Sequence, residues 1–175
     1  DIAVFSITVT ASDGTATASN NLALTVTDNT VPTVAAAQAD QTATEDSAFT
    51  YTVPTGTFAD VEDATLTISA DGLPDGLTFT DGVISGTPTN AAVGDNTVSI
   101  IATDSGGASV TDQITISVAN VNDAPTVVTA QADQTATQDA LFSYTVPADT
   151  FTDVDAGDSL TITATDLPDG LTFTD

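Results

Sequence analysis

The stretch "NVNDAPTV" at residues 120–127 gathers side chains that could bind a metal ion. Asn120, Asn122 and Asp123 lie within a span of four residues and are followed by Pro125. Carboxylate and amide oxygens are the ligands that a hard cation such as Ca²⁺ prefers. Asn and Asp are also common turn formers, so an ordinary polar linker is the alternative. The choice between the two depends on the elements that surround the stretch.

The composition excludes several classes of partner. The chain carries 25 acidic residues and no lysine, arginine or histidine, which gives a formal net charge of −25. Such a chain repels nucleic-acid phosphates and anionic membrane surfaces. No apolar run approaches the roughly 20 residues that cross a bilayer. We therefore predict no nucleic-acid partner and no membrane insertion. The lack of cysteine excludes disulfides and thiolate metal sites.

The residues that most enzymes use are missing as well. Histidine, lysine, arginine and cysteine supply most general bases, oxyanion clamps and activated nucleophiles, and the chain has none of them. A pair of carboxylates of the glycosidase kind stays open. Acids scattered through many turns reach a suitable separation by chance, however. We therefore predict that the chain is not an enzyme and has no catalytic residues.

A long internal repeat organises the chain. The segment "QADQTATEDSAFTYTVP", which begins at Gln38, returns as "QADQTATQDALFSYTVP" from Gln131, 93 residues later. The stretch before the first copy also parallels the stretch before the second. We interpret the chain as the end of one repeat (residues 1–30), a complete repeat (residues 31–123) and the first part of a third (residues 124–175).

Each repeat has the pattern of β-structure throughout. "SLTITATDL" alternates Leu160, Ile162 and Ala164 with threonines, which is the period of a strand with one wet face. Turn residues such as Asp81-Gly82 separate these runs, and no helical periodicity is present. About seven short strands in each repeat predict an immunoglobulin-like β-sandwich. The predicted core of the complete repeat is Phe49, Tyr51, Val53, Leu66, Ile68, Leu77, Phe79, Val98, Ile100, Ile114 and Ile116.

Three motifs carry a resemblance to a known family. "LPDGLTFTDGVISGTPT" at residues 73–89 resembles bacterial immunoglobulin-like tandem repeats and dystroglycan-type cadherin-like domains of large surface adhesins. "ATDSGG" at residues 102–107 and "NVNDAP" at residues 120–125 resemble the calcium-linker elements of cadherins. The resemblance covers essentially the whole chain. It implies an all-β fold of tandem immunoglobulin/cadherin-like β-sandwich repeats of about 93 residues.

The same resemblance implies calcium as a cofactor where consecutive repeats meet. The ligands would come from the linker, from an acidic loop of the following repeat and from an acid near the start of the preceding one. At the second junction (residues 120–125) these are Asn120, Asn122 and Asp123, Asp153 and Asp155, and Glu45. At the first junction (residues 27–32) they are Asp28 and Asn29, Asp60, Glu62 and Asp63, together with Asp104. Thr30 stands where Asp123 stands later, so the first junction lacks one expected ligand.

Turn formation is a sufficient account of several other acids. We assign turns or solvated charge to Asp71, Asp75, Asp81, Asp112 and Asp169. Turn formation accounts less well for the junctions. Two unpaired carboxylates about 5 Å apart repel by about 3 kcal/mol at an effective dielectric constant of about 20. Because the chain has no basic residue to offset this repulsion, calcium is favoured over a plain acidic linker.

These observations predict a structural role in a large secreted or cell-surface protein. Calcium at the junctions would turn a flexible string of domains into a stiff rod. Extracellular modules bind calcium at about 10⁻⁴–10⁻³ M. The expected partners are neighbouring repeats of the same or an adjacent chain, with a cell-surface or polysaccharide ligand bound elsewhere in the full protein. The alternative is a carbohydrate-binding or accessory module of an extracellular polysaccharide-degrading enzyme, which a row of exposed aromatic side chains would favour.

The repeat boundaries give one further expectation. Residues 1–30 hold only the last strands of a sandwich and residues 124–175 only the early ones, so each piece would expose an apolar face and unpaired strand edges. We therefore expect a window on a longer repetitive chain, assembled as a filament or array. Strands equivalent to residues 1–30, from the same polypeptide or a neighbouring one, would then cover Phe142, Tyr144, Leu160 and Leu171.

Overall fold

A computed structural model describes residues 3–174, whose regular structure is almost entirely β-strand. The strands are β1 (Ala3–Ser12), β2 (Thr17–Val26), β3 (Thr33–Val34), β4 (Gln41–Thr44), β5 (Phe49–Thr52), β6 (Phe58–Ala59), β7 (Thr67–Asp71), β8 (Leu77–Thr80), β9 (Val83–Gly86), β10 (Gly94–Thr103), β11 (Ser109–Ala119), β12 (Thr126–Val127) and β13 (Phe151–Thr152). One short 3₁₀ turn, Asn90–Ala92, precedes β10. Among the described residues, no helix has the length and apolar character needed to span a membrane. The prediction of an all-β fold is confirmed.

Strands β3–β11 build a two-layer sandwich, which we call the central sandwich. One layer is a four-stranded sheet in the order β4-β11-β10-β7. Within it β4 runs parallel to β11, while β10 is antiparallel to both of its neighbours. The other layer is an antiparallel sheet in the order β5-β9-β8, and β3 pairs with β6 as a short ribbon. The predicted immunoglobulin-like sandwich is therefore confirmed.

The hydrophobic core lies between these two layers. Inward-facing residues alternate along β10 and β11, because successive side chains of a strand point to opposite faces of its sheet. Val98, Ile100 and Ile114 from this hairpin pack with Leu77 and Ile84 from the facing sheet. Of the predicted core, the buried members are Leu77, Val98, Ile100, Ile114 and Ile116, and the partly buried ones are Phe49, Tyr51, Val53, Leu66, Ile68 and Phe79.

Several predicted turn residues adopt the positive φ angles that turns of their type require. Asp81 and Gly82 connect β8 to β9 in a two-residue turn, with φ of 50° and 81°. Positive φ at both positions is typical of the hairpin turns that Asp-Gly favours. Gly76 has φ of +86°, and a Cβ there would lie 2.0 Å from the carbonyl oxygen of Thr87. Glycine is therefore required where the "LPDG" motif passes against Thr87, the residue that follows β9.

The expectation for Asp112 was wrong. This residue lies within β11 rather than in a turn, and its side chain is buried. Its Oδ2 accepts the backbone N–H of Gln38 at 2.8 Å. The same glutamine accepts the hydroxyl of Tyr51 at 2.5 Å. Asp112 therefore belongs to a polar network that ties β11 to the segment entering the central sandwich.

Two parts of the chain flank the central sandwich. The N-terminal hairpin (β1–β2) forms a two-stranded sheet of its own, joined over ten residue pairs. The C-terminal segment (residues 124–174) contains only β12 and β13 as strands among its described residues. Within this segment Tyr144, Leu160 and Leu171 are 36–41% exposed, and Phe142 is partly buried. Apolar side chains thus remain accessible at both ends.

Candidate metal centre

The second junction brings three carboxylates together from three separate parts of the fold. Glu45 directly follows β4, Asp123 lies in the linker after β11, and Asp155 lies in the loop after β13. The parallel pairing of β4 with β11 places Thr44 opposite Ala119. Because both strands end at this pair, Glu45 comes to the start of the linker.

Backbone hydrogen bonds fix Glu45 in this position. Its N–H donates to the carbonyl oxygen of Ala119 at 3.0 Å, and its Oε1 accepts the N–H of Val121 at 2.5 Å. The side chain is 0% exposed, and its Oε2 has no hydrogen-bond partner among the described residues. Leaving a buried carboxylate oxygen unpaired is costly unless a donor or a cation satisfies it. This oxygen is therefore a candidate ligand for a cation.

Asp155 forms the opposite side of the centre. Its N–H donates to Oδ1 of Asp153 at 3.0 Å, which closes a short turn of the acidic loop. Its Oδ2 accepts the N–H of Asp123 at 2.7 Å, and its Oδ1 accepts Nδ2 of Asn90 at 3.2 Å. Asn90 belongs to the central sandwich, so this amide links it directly to the C-terminal segment. Sequence reasoning missed Asn90, because no spacing or motif marks it.

The three carboxylates are close enough to share one cation. One oxygen from each of Glu45, Asp123 and Asp155 lies within 4.8 Å of the other two. Burial raises the pKa of Asp123 above its usual 3.8, and the charges of Asp46, Asp155, Glu45 and Asp153 raise it further. The ionised form of this carboxyl is thus disfavoured when no cation is bound.

The remaining candidates of the second junction have different places. Asp153 belongs to a second group, in which one oxygen each from Asp153, Asp155 and Asp158 lies within 4.8 Å of the others. Asp158 was not among the sequence candidates. Asn122 is exposed, and its Nδ2 donates to its neighbour's carbonyl oxygen at 2.7 Å. Asn120 is also exposed. Neither amide is needed to assemble the three carboxylates.

At the first junction the acids are joined to uncharged donors. Nδ2 of Asn29 donates to Oδ2 of Asp104 at 3.1 Å. The hydroxyl of Thr30 donates to Oε2 of Glu62 at 2.7 Å, and the Thr30 N–H donates to the same oxygen at 3.2 Å. These bonds connect the linker after the N-terminal hairpin to two loops of the central sandwich. The side-chain donors in these bonds are an amide and a hydroxyl.

The other acids of the first junction are also engaged. Asp63 accepts the N–H of Ser105 at 2.8 Å and its hydroxyl at 3.1 Å. Oδ1 of Asp60 accepts two backbone N–H groups of its own loop, while its Oδ2 is buried with no partner among the described residues. Asp28 lies in the exposed connection after β2. Within residues 3–174, no three acids of this junction lie within 4.8 Å of one another.

The residues of the second junction fit a calcium ion. All three carboxylates offer oxygen, which is the donor type that Ca²⁺ takes. The buried Oε2 of Glu45, which has no hydrogen-bond partner among the described residues, could serve as one of these ligands. Thiolate and imidazole ligands, which favour zinc and copper, do not occur in this chain.

Comparison with known families agrees with this architecture. The sequence profile described as "Putative Ig domain" matches residues 31–119 and again residues 124–175. The chain belongs to this family of immunoglobulin-like domains. The resemblance to immunoglobulin-like repeats of surface adhesins is thereby confirmed.

Individual relatives are much longer than this chain. The chain is 37% identical over 111 residues to the serine-rich adhesin for platelets of Staphylococcus aureus strain MRSA252, covering 62% of this chain and 8% of that protein. The adhesin of strain USA300 is equally similar, with 5% of its length covered. Among solved structures, an endo-fucoidan hydrolase of glycoside hydrolase family 107 is similar at a TM-score of 0.45 and 29% identity, covering 67% of this chain and 19% of the hydrolase.

Proposed function

We propose that this chain is a calcium-stiffened spacer of a surface adhesin. In this proposal residues 1–30, 31–123 and 124–175 are parts of three consecutive repeats, and calcium at the second junction holds two of them in a fixed orientation. The chain contributes structure rather than catalysis. Its position is extracellular or at the cell surface, where calcium is abundant enough for a weak site.

The observation that carries the proposal is the unpaired Oε2 of the buried Glu45. Glu45 lies in a group with Asp123 and Asp155, and no basic side chain exists anywhere in the chain to neutralise the group. A divalent cation is the simplest species that offsets this charge. Exposed carboxylates in turns need no such cation, because water solvates their charge.

The proposed mechanism follows from where the three ligands are attached. Glu45 belongs to the central sandwich, Asp123 to the linker and Asp155 to the C-terminal segment. Without the cation, mutual repulsion of the carboxylates favours separation, and small interfaces between domains permit motion by default. With a cation bound, the three parts are held to one point. Calcium therefore supplies the positive charge, and the chain supplies a joint with ligands on both sides.

Similarity to staphylococcal adhesins supports a place on the cell surface, because those relatives are named as adhesins for platelets. The chain spans less than a tenth of their length, so the adhesive ligand belongs to the proposal for the whole protein and not to these residues. The high negative charge would keep a long array soluble and self-repelling. Assembly into an extracellular filament or array is part of the same proposal.

Calorimetric titration of the metal-depleted chain with calcium tests this function. We expect a binding heat with a dissociation constant of about 10⁻⁴–10⁻³ M. The variant Asp155→Asn removes the charge and keeps one of the two oxygens that accept from Asp123 and Asn90, so it should lose this heat. Asp133→Asn is the matched control, because Asp133 is exposed and lies outside both acidic groups.

Small-angle X-ray scattering of the same samples tests the stiffening. Calcium should narrow the distribution of interatomic distances in the wild type and in Asp133→Asn, but not in Asp155→Asn. Equal calcium heats in all three proteins would refute the site. Binding with an unchanged scattering curve would refute the mechanical role while leaving the site intact.

A further inference from the structure

Two hydrogen-bonded routes connect the central sandwich to Asp155 in the C-terminal segment. The first route begins where Oε1 of Glu45 accepts the N–H of Val121 at 2.5 Å. It ends two residues later, where the N–H of Asp123 donates to Oδ2 of Asp155 at 2.7 Å. The second route bypasses the linker, because Nδ2 of Asn90 donates directly to Oδ1 of Asp155 at 3.2 Å. Each oxygen of this carboxylate is therefore held by a different part of the chain.

The bond from the linker occurs at both junctions. Thr30 and Asp123 occupy matching positions of successive repeats, as do Glu62 and Asp155. The N–H of Thr30 donates to Oε2 of Glu62 at 3.2 Å, in the same way as the N–H of Asp123 donates to the acid of its loop. A backbone donor needs no particular side chain, so this bond is a recurring element of the repeats. The bond from Asn90 depends on a side chain and comes from outside the linker.

The core of the central sandwich holds the backbone of Asn90 in place. Asn90 begins the short 3₁₀ turn, and its carbonyl oxygen accepts the N–H of Val93 at 3.2 Å. Within the turn, the N–H of Ala92 donates to the carbonyl oxygen of Thr89 at 2.9 Å. Ala92 is buried and belongs to the hydrophobic core. Because this alanine packs in the core, the backbone that carries Asn90 is fixed relative to the two sheets.

The turn that carries Asn90 is also tied to the segment that carries Glu45. The N–H of Asp46 donates to the carbonyl oxygen of Pro88 at 3.0 Å, and Pro88 is buried. Asp46 directly follows Glu45, and Pro88 lies two residues before Asn90. Glu45 and Asn90 therefore belong to one connected unit of the central sandwich. A bond from Asn90 to Asp155 fixes the distance between the carboxylates of Asp155 and Glu45 without passing through the linker.

An asparagine suits this position because of its chemistry. Its carboxamide supplies N–H donors and carries no charge, so it can hold a carboxylate without neutralising it. One oxygen of Asp155 still lies within 4.8 Å of one oxygen each from Glu45 and Asp123. The amide thus orients the acid and leaves the negative charge of the group for a cation.

We infer that Asn90 is a positioning residue that holds Asp155 opposite Glu45 at the second junction. A single tether through the linker leaves the C-terminal segment free to rotate about it, because motion is the default where the interface between domains is small. A second tether from the body of the central sandwich restricts this rotation before any metal binds. Ligands that are already in place lose less entropy on binding. Asn90 therefore raises the calcium affinity of the proposed site without being a ligand itself.

The same contact discriminates between the two acids that the repeats use in this loop. Glu62 occupies the position of the first junction that matches Asp155, and its side chain is one methylene longer. A glutamate at position 155 would keep the charge but displace the carboxylate from the point where Asn90 and the N–H of Asp123 both reach it. A repeat that presents Asn90 thus selects a following repeat with aspartate in its acidic loop.

NMR spectroscopy in chelator tests the positioning without metal. Asn90→Ala removes the second tether, so it should reduce the residual dipolar couplings of the C-terminal segment relative to those of residues 31–119. Gln113→Ala is the matched control, because it removes a carboxamide that donates to Ser99 at 3.3 Å on the exposed face of β11, away from the linker. Unchanged amide signals of Ile84 and Ile100 confirm that the central sandwich of each variant is folded. Wild-type couplings in Asn90→Ala would overturn the inference.

Calorimetry measures the consequence for calcium, which rests on the proposed function. Asn90→Ala should weaken calcium binding by about tenfold at unchanged stoichiometry, since partners that orient metal ligands contribute on this scale. Asp155→Glu should weaken it similarly although it keeps the charge. The double variant should bind no more weakly than Asp155→Glu, because both changes break one contact. Losses that add in the double variant would overturn the inference. A wild type without calcium heat would refute the proposed function, while the couplings in chelator would still decide whether Asn90 holds Asp155.

Discussion

The two junctions of this chain solve the same electrostatic problem in different ways. At the first junction, the carboxylates of Asp104 and Glu62 accept hydrogen bonds from Asn29 and Thr30. At the second junction, three carboxylates approach one another and the buried Oε2 of Glu45 is left unpaired. In the first arrangement protein donors reach Asp104, Glu62 and Asp63, while the buried Oδ2 of Asp60 has no partner among the described residues. In the second arrangement the proposed calcium ion would supply the positive charge.

One substitution explains much of this difference. Thr30 stands where the second junction has Asp123, and its hydroxyl is a donor where a carboxylate could only accept. A donor neutralises the neighbouring acid through a hydrogen bond, whereas a carboxylate adds to the charge that a cation must offset. We therefore propose that this single linker residue decides whether hydrogen bonds or a cation neutralise the neighbouring acid.

The largest expected effect distinguishes the junctions through calcium affinity. Glu45→Gln should weaken calcium binding by about tenfold or more, since even outer-shell partners of a metal contribute on this scale. Glutamine is compatible with the position, because Gln138 occupies it in the next repeat. Glu62→Gln is the matched change at the first junction and should leave the affinity unchanged. Calorimetry that ranks the two variants in the opposite order would reverse the assignment of the metal site.

The sequence predicts the sandwich well and the site only in part. The alternation of residue types along "SVTDQITISV" predicts which face of β11 is buried, because successive side chains of a strand point to opposite faces of its sheet. The grouping of Glu45 with Asp123 depends on the parallel pairing of β4 with β11, a long-range contact that no local pattern encodes. Asn90 reaches Asp155 through a long-range contact as well, whereas Asp158 joins its group locally, from the same loop as Asp153 and Asp155. The family resemblance supplied the candidate residues, but pairing of distant strands decides which of them meet.

Converting the first junction into the second is a sharper test of the comparison. Thr30→Asp removes the hydroxyl donor to Glu62 and adds a carboxylate, so it should destabilise the metal-free chain by about 1–3 kcal/mol. Calcium should reverse this loss, and the binding stoichiometry should rise by one site. Thr30→Val removes the same donor without adding charge and should remain insensitive to calcium. If calcium restores neither variant, or both equally, the linker residue does not set the metal requirement.

The pH dependence of calcium binding gives a smaller effect with a fixed sign. The pKa of Asp123 is raised above 3.8, so the metal-free junction holds a proton at pH values where an ordinary aspartate has lost it. Calcium must displace this proton, and its affinity should fall as the pH is lowered through the raised pKa. Without calcium, the protonated carboxyl contributes stability below pH 3.8 that is lost as the pH rises through the raised pKa. Calorimetry of Asp123→Asn across this pH range should show weaker calcium binding, with an affinity that depends less on pH than in the wild type. If the affinity changes with pH as steeply as in the wild type, the displaced proton belongs to another group.

The smallest expected effect concerns the packing that lets the first junction close without metal. A Cβ on Gly106 would lie 2.6 Å from the carboxamide of Asn29, closer than real Cβ contacts allow. Gly106→Ala should therefore displace this amide and weaken its bond to Asp104, costing about 0.5 kcal/mol because the bond is near the surface. Asn29→Ala should cost a similar amount, and the double variant should cost no more than either alone, since both changes break one bond. Thermal unfolding in chelator measures all three. If the stability losses of the two single variants instead add up in the double variant, the amide and the glycine act independently. The close packing of Gly106 would then not support the hydrogen bond between Asn29 and Asp104.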